Sequence, residues 1–236
     1  MKNTTYINNK FIDHNKAKIS VDDRGFLFAD SVYELINVSN KKIIDLDQHL
    51  NRLKVSLRKV KIKYKLSKKK FEETINKLIK LNSIFNGYIY IQITRGVAER
   101  KHEFPEKYHP TTIIFTKHLK TNKDIYAKGV KIITIPDIRW LRRDIKTTSL
   151  LPNVLSKQLA VEKNAFESWL IDNGNITEGS ASNAWIINNS NTIVTHPANN
   201  KILKGVTRDT IIKILKKNGF NIKEKPFNLI EAKNAK

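Results

Sequence analysis

The segment 130–159 consists of an apolar run, a polar loop and a second apolar pattern, and this order restricts the folds open to the chain. Val130–Ile135 is a continuous apolar run of strand length. Apolar residues then recur at every fourth position from Leu151 to Leu159, and Pro152 stands where the first turn of a helix accepts proline. A strand followed, after a polar loop, by a helix predicts a mixed α/β fold.

The rest of the chain continues this alternation of strands and helices. Helices are predicted to begin near Asp47 and Ser67, and a later one runs from about Val206 to Leu215 and is stopped by Gly219. Strands are predicted at 5–12 (a hairpin), 17–21, 32–38, 43–46, 88–94, 111–116, 168–171 (a hairpin turning on 173–174), 184–187, 192–195 and 220–227. The polar stretch 119–128 predicts a linker between two domains, 1–118 and 129–236.

Composition excludes several classes of protein. No apolar run approaches the length of a membrane span, and residues 1–16 lack the apolar core of a signal peptide. Cysteine is absent, so thiolate metal sites and disulfides are excluded, and we expect a cytoplasmic location. The net charge of +22 invites a nucleic-acid function, but 35 of the 44 basic residues are lysine and they are dispersed. We expect neither a specific nucleic-acid partner nor a membrane.

Lys146 is the first candidate for covalent chemistry. It lies between the predicted strand and the Pro152 helix, beside Ile145 and before three hydroxyl residues, 147–149. An amine that is partly desolvated by apolar neighbours loses its proton more readily and becomes a nucleophile. Since lysine is abundant in this chain, the position of Lys146 has to be judged together with other motifs.

Five motifs, taken together, provide that context. They are Asp22–Glu34 (DDRGFLFADSVYE), Arg52, Ile138–Thr147, Ile176–Asn183 (ITEGSASN) and Thr195–Asp209 (THPANNKILKGVTRD). In order and spacing they resemble the fold-type-IV (class IV) pyridoxal-phosphate enzymes, and within them the D-amino-acid aminotransferases. The resemblance implies a two-domain α/β (α+β) protein with a smaller N-terminal domain and a pseudo-barrel-like C-terminal domain.

The resemblance also implies a cofactor, pyridoxal 5′-phosphate, and the residues that hold it. Lys146 would form the Schiff base and then carry the proton between substrate and cofactor. Glu178 would face the pyridine nitrogen and Arg52 the phosphate, with His49 as support one turn earlier. The other residues implied at the cofactor are Ser182, Val206 and Thr207. On the residues alone, Glu178 and Arg52 could equally be solvated, and Thr207 could be only a helix cap.

Substrate recognition is implied at a second set of positions. Arg100 and His102 point the same way in an extended loop and, with Tyr33, would bind the carboxylate of the amino donor. By resemblance this arginine and histidine reach over from a partner subunit, so a homodimer is implied. Leu35 and Leu203 would line the side-chain pocket. The implied reaction transfers an amino group between D-alanine or other D-amino acids and 2-oxo acids.

Departures from the family pattern keep alternatives open. Ala29 and Ser31 stand where the family usually has glycine, and Ala181 replaces a serine. The family pattern continues past Lys236, so the C-terminal domain is expected to be incomplete and activity impaired. The alternatives are a branched-chain aminotransferase, an aminodeoxychorismate lyase, or a truncated remnant of weak activity; Arg100 and His102 argue against the first two.

Overall fold

The chain forms two compact units in a computed structural model, which describes residues 3–119 and 124–236. The first unit comprises Met1–Thr121 and Ile145–Ser149, and the second comprises Asn122–Asp144 and Leu150–Lys236. The predicted linker lies partly outside the described residues, at 120–123, and its remainder contains a short helix, Asp124–Lys128. The segment Ile145–Ser149, predicted as part of the C-terminal domain, is in the first unit.

The first unit is built on one six-stranded antiparallel sheet. Its strand order is β2-β1-β6-β5-β3-β4. The strands are β1 (Thr4–Ile7), β2 (Lys10–Asp13), β3 (Ser31–Ser39), β4 (Lys42–Ile43), β5 (Gly87–Thr94) and β6 (Thr112–His118). The hairpin predicted at 5–12 is confirmed, since β1 and β2 pair across Asn8 and Asn9, both of positive φ.

Three helices accompany this sheet, α1 (Arg24–Phe28), α2 (Leu46–Lys59) and α3 (Lys68–Leu81). The predicted N-cap at Ser67 is confirmed, because its hydroxyl accepts a hydrogen bond from the backbone N–H of Lys70. Helices α2 and α3 bury their apolar faces against the sheet in one core. That core includes Ile36, Leu53, Ile75, Leu78, Ile89 and Ile91.

The segment Ile145–Ser149 extends the sheet of the first unit at the edge of β3. The backbone N–H of Tyr33 donates to the carbonyl of Lys146 over 3.0 Å, and Thr147 bridges Val32 in antiparallel register. Since β4 pairs only with the far end of β3, at Val38 and Ser39, this edge is available to the segment. Lys146 is therefore fixed by strand pairing rather than carried on a loose loop.

The second unit contains a four-stranded sheet of order β13-β9-β8-β7 and a three-stranded sheet of order β10-β11-β12. The strands are β7 (Ile132–Pro136), β8 (Glu167–Asp172), β9 (Asn175–Gly179), β10 (Trp185–Ile187), β11 (Ile193–Thr195), β12 (Ile222–Glu224) and β13 (Phe227–Asn228). The helices are α4 (Asp124–Lys128), α5 (Leu151–Glu162), α6 (Val206–Lys217) and α7 (Leu229–Lys233). The strands β7 and β8 are parallel and are connected through α5. Ile176 and Phe227 are fully buried in a core formed with apolar residues of both sheets.

Several local predictions differ from the structure. Residues 17–21 form no strand, and the predicted strand 220–227 is interrupted, with β12 at Ile222–Glu224 and β13 beginning only at Phe227. Helix α5 begins at Leu151 with proline in its first turn, as predicted, but its recurring leucines are exposed, Leu151 to 68%. Within residues 3–119 and 124–236, no helix is long and apolar enough to cross a membrane.

Candidate active site

Lys146 lies against an aromatic ring in the first unit. Its Nζ atom is 4.3 Å from the centroid of the Tyr33 ring, and its backbone N–H donates to the Ser56 hydroxyl on α2. The neighbours Ile145 and Thr147 are buried while Lys146 is half-buried. The amine is thus held by a strand edge and a ring face, which restricts its position without enclosing it.

A buried carboxylate organises the residues around Arg52. Glu34 is 0% exposed, and Arg52 donates to it from Nε over 2.8 Å and from Nη2 over 2.7 Å. The Nδ1 atom of His49, one turn earlier on α2, is 2.7 Å from the same carboxylate. This fork-like pairing fixes the plane and direction of the Arg52 guanidinium.

Burial alone raises the pKa of the Glu34 carboxyl, but its partners outweigh burial. Hydrogen bonds from Arg52 and His49, and the positive charges of Arg52 and Lys146, hold the pKa of Glu34 below its usual value. Glu34 is therefore ionised at neutral pH. No role for this carboxylate was predicted from the sequence.

Tyr33 and Leu35 occupy the other face of β3, because successive residues of a strand point to opposite faces. Both are more exposed than Glu34 between them, and Leu35 is 41% exposed. Tyr33 stacks on Tyr90 with 5.6 Å between ring centroids. Burial, and then the nearby Tyr33, raise the pKa of Tyr90 to about 12, so this phenol stays protonated. The Tyr33 ring is thereby supported by a neutral ring while it contacts the amine of Lys146.

Arg100 and His102 lie together on a loop of the first unit, and we call residues 99–104 the clamp loop. The guanidinium carbon of Arg100 is 5.3 Å from the centroid of the Phe28 ring, and the His102 ring is 5.4 Å from the same ring. Both side chains are exposed. Arg100 and His102, which are predicted to bind a carboxylate, therefore both contact the ring of Phe28, the last residue of α1.

Glu178 is the centre of a polar network in the second unit. It forms an ion pair with Arg139 and accepts the backbone N–H of Leu203 over 3.1 Å and the Asn183 amide over 3.0 Å. Burial raises the pKa of Glu178, and the Arg139 guanidinium and the Leu203 N–H oppose that rise. Arg139 is in turn held by Asp137, to which its Nη2 donates over 2.7 Å.

The N-terminus of α6 is the predicted anion-binding position of the second unit. Val206 and Thr207 are its first two residues, and the N-cap, Gly205, supplies no capping side chain. A Cβ atom at Gly205 would lie 2.2 Å from Oδ1 of Asn183, so this close approach requires glycine. Ser182 donates its hydroxyl to Glu167 over 2.6 Å, which fixes the turn after β9.

A family model described as amino-transferase class IV matches residues 31–236. The D-alanine aminotransferase of Staphylococcus aureus (strain N315) is 41% identical over 98% of this chain and 82% of that relative. The chain belongs to the class IV aminotransferases. Its fold is that of the branched-chain aminotransferase of Escherichia coli, with a TM-score of 0.90 at 21% identity over 100% of this chain and 81% of that one.

Pyridoxal phosphate is the cofactor of this class IV aminotransferase, and the residues present fit it. A second solved relative, a branched-chain aminotransferase with pyridoxamine 5′-phosphate, has a TM-score of 0.89 at 21% identity, covering 100% of this chain and 80% of that one. The first unit offers an amine at Lys146 and a guanidinium at Arg52. The second offers a buried carboxylate at Glu178 and the uncapped α6 N-terminus. Considered unit by unit, Lys146 and Arg52 suit an aldehyde and a phosphate, and Glu178 and the α6 N-terminus suit a pyridine nitrogen and a phosphate.

The structure assembles the predicted residues in two groups. The first unit holds Lys146, Arg52, Tyr33, Leu35, Arg100 and His102, and the second holds Glu178, Ser182, Leu203, Val206 and Thr207. Sequence reasoning missed Glu34 and Arg139 as the partners that fix Arg52 and Glu178. A signal was present for Glu34, because a carboxylate on the buried face of an apolar strand requires a cationic partner.

Proposed function

We propose that this chain transfers the amino group of D-alanine or another D-amino acid to a 2-oxo acid. The observation that carries the proposal is that Arg100 and His102 lie next to each other, both in contact with Phe28. The similar relatives of this chain are named D-alanine aminotransferases. Two cationic or polar donors beside each other suit the α-carboxylate of an amino acid.

Each residue has a defined task in the proposed reaction. When bound, pyridoxal phosphate supplies an electron sink for the carbon that loses its proton. Lys146 would hold the cofactor through its Nζ atom and, once the amino group of the substrate has displaced it, would carry a proton on the same atom. Glu178, buried and fixed by Arg139 and Leu203, holds a hydrogen bond to the pyridine nitrogen. In the first unit, Arg52, oriented by Glu34, would bind the phosphate. In the second unit, the N–H groups of Val206 and Thr207 are of the kind that binds a phosphate.

The role of Lys146 is tested by chemical trapping. The protein is purified with pyridoxal phosphate, reduced with borohydride, digested and analysed by mass spectrometry. We expect the phosphopyridoxyl group on Lys146, unchanged in a Lys54→Arg control, since Lys54 is exposed on α2. Modification of another lysine, or none, would refute the assignment.

Donor specificity is tested with 2-oxoglutarate as acceptor. We expect turnover with D-alanine and little with L-alanine or L-leucine. Preference for L-leucine would favour the branched-chain alternative. The solved branched-chain relative is 21% identical to this chain, and its similarity shows the fold alone. Absence of any turnover, with cofactor bound, would favour the catalytically impaired alternative.

The proposal includes a homodimer in which the clamp loop serves the partner's site. Lys146→Ala and Arg100→Ala chains are purified separately, mixed under conditions that exchange subunits, and assayed. If the loop acts across the dimer, hybrids contain one intact site and mixing restores about a quarter of the sites. No restoration would show that Lys146 and Arg100 of the same chain act together. The proposed cytoplasmic location is tested by fractionation of the source cells.

A further inference from the structure

Arg24 is a buried arginine that binds the backbone of the clamp loop. Its side chain is 4% exposed. Its Nη1 atom donates to the carbonyl oxygen of Lys101 over 2.6 Å, and its Nη2 atom to that of His102 over 3.4 Å. These two carbonyls belong to the peptide units on either side of His102, one and two units beyond the peptide bond that follows Arg100. The guanidinium therefore holds the main chain from which the two substrate-binding side chains project.

Arg24 is itself fixed by an ion-pair network. Its Nε atom donates to Asp30 over 2.9 Å, and Asp30 also accepts Nε and Nη2 of Arg95 over 2.7 and 3.0 Å. The other donors of Arg95 go to the carbonyls of Val60 and Lys61 after α2. Arg24 is thus anchored, through one shared carboxylate, to the end of the helix that carries Arg52.

The clamp loop is also held at its far end and at its side chains. The guanidinium of Arg95 lies 3.7 Å from the centroid of the Phe104 ring. The ring of Phe28 contacts Arg24 at 4.7 Å as well as Arg100 and His102. One aromatic ring therefore separates the buried anchor from the two exposed side chains, and it limits the rotamers that both can adopt.

We propose that Arg24 and Phe28 are positioning residues that set the geometry of Arg100 and His102, and with it the affinity for the amino donor's carboxylate. This inference rests on the proposed function. Exposed arginine and histidine side chains on an unanchored loop would lose rotamer and loop entropy on binding, which weakens affinity. Lysine at position 24 cannot reproduce the three-way fork of the guanidinium, so the conservative substitution is disruptive here.

The kinetic test compares Arg24→Lys, Phe28→Leu and Phe28→Tyr with wild type, as holoenzymes. We expect Arg24→Lys and Phe28→Leu to raise KM for D-alanine by about tenfold to a hundredfold, while kcat and the absorption spectrum of the bound cofactor stay near wild type. Phe28→Tyr keeps the aromatic face and should restore a KM within about twofold of wild type. Equal KM values in all four proteins would overturn the inference.

The control is Asn82→Ala, which removes another buried side chain of the first unit that donates to a backbone carbonyl, that of Thr4 over 2.8 Å. It should lower stability without raising KM. A rise in KM equal to that of Arg24→Lys would show that KM follows general loss of stability and would overturn the proposed role.

Amide hydrogen exchange supplies a readout that is independent of turnover. In the cofactor-free protein, Arg24→Lys should exchange faster than wild type at 99–104, and Asn82→Ala should not. If no transaminase activity exists but this exchange difference does, the proposed function fails while the anchoring of the loop is retained. If activity exists and both KM and exchange are unchanged, the inference fails and the proposed function stands.

Discussion

Removing Arg52 should destabilise the protein even when no cofactor is bound. The guanidinium makes two hydrogen bonds of 2.8 and 2.7 Å to Glu34, a carboxylate that is 0% exposed. Breaking a buried pair by removing one partner leaves the other charge uncompensated and costs about 3–5 kcal/mol. Because His49 and the charge of Lys146 remain near Glu34, we expect the lower end, about 3 kcal/mol, for Arg52→Met.

A double-mutant cycle separates this pairing from other effects of the substitution. Arg52→Met, Glu34→Gln and the double variant are unfolded in urea without cofactor, with Arg58→Met as the exposed control on the same helix. The double variant should be more stable than the sum of the single losses predicts, with a coupling of about 1.5–3 kcal/mol. All three tryptophans, at 140, 169 and 185, belong to the second unit, so tryptophan fluorescence reports the unfolding of that unit. Circular dichroism reports the unfolding of both units.

The same cycle has a defined pH dependence. The pKa of Glu34 in the folded protein lies below its ordinary value of 4.5, so its contribution to stability is present above pH 4.5. That contribution is lost as the pH falls through the folded-state pKa, and the gap between wild type and Glu34→Gln should close there. If Arg52→Met unfolds at the same urea concentration as Arg58→Met at pH 7, Glu34 and Arg52 do not stabilise each other.

Three further substitutions test other parts of the structure. Ala29 has a φ of 53°, so Ala29→Gly should stabilise the protein by about 1 kcal/mol in thermal unfolding, and a loss of stability would contradict the strain. Gly205→Ala places a Cβ atom 2.2 Å from Oδ1 of Asn183 and should weaken cofactor binding at least about tenfold. Spectroscopic titration with the cofactor measures this affinity. Gly219→Ala, just past the opposite end of α6, should leave it unchanged. Arg139→Met removes the cation that opposes the rise in the pKa of Glu178, so the acid limb of the kcat profile should move to higher pH; an unmoved limb would refute this.

Local signals in the sequence predicted much of the fold. The hairpin at Asn173-Gly174 and the helix after Ser67 depend on turn and cap chemistry within a few residues, and both form as predicted. The spacing of the leucines predicts helix α5. Spacing shows which residues share one face of a helix, but it does not show whether that face is buried. The exposure of Leu151, Leu155 and Leu159 therefore could not be predicted from their spacing.

The site was predictable only where a motif carries the chemistry. Lys146 and Glu178 follow from the resemblance, whereas the partners that orient the site do not. Arg24 reaches carbonyls 77 and 78 residues further along the chain, and no local pattern reports such a contact. The effect of alanine in place of glycine at position 29 could also not be predicted from the sequence. Only the structure shows that Ala29 has a positive φ, which strains an alanine but not a glycine.

The placement of Ile145–Ser149 beside β3 has a consequence for any attempt to recombine this protein. The chain enters the second unit after Thr121, returns to the first for five residues, and leaves again. A chimera joined at the linker would place Lys146 of one parent against the sheet edge, the tyrosine ring and the buried carboxylate of the other. Functional crossovers should therefore require that these five residues travel with the N-terminal half, as a third fragment.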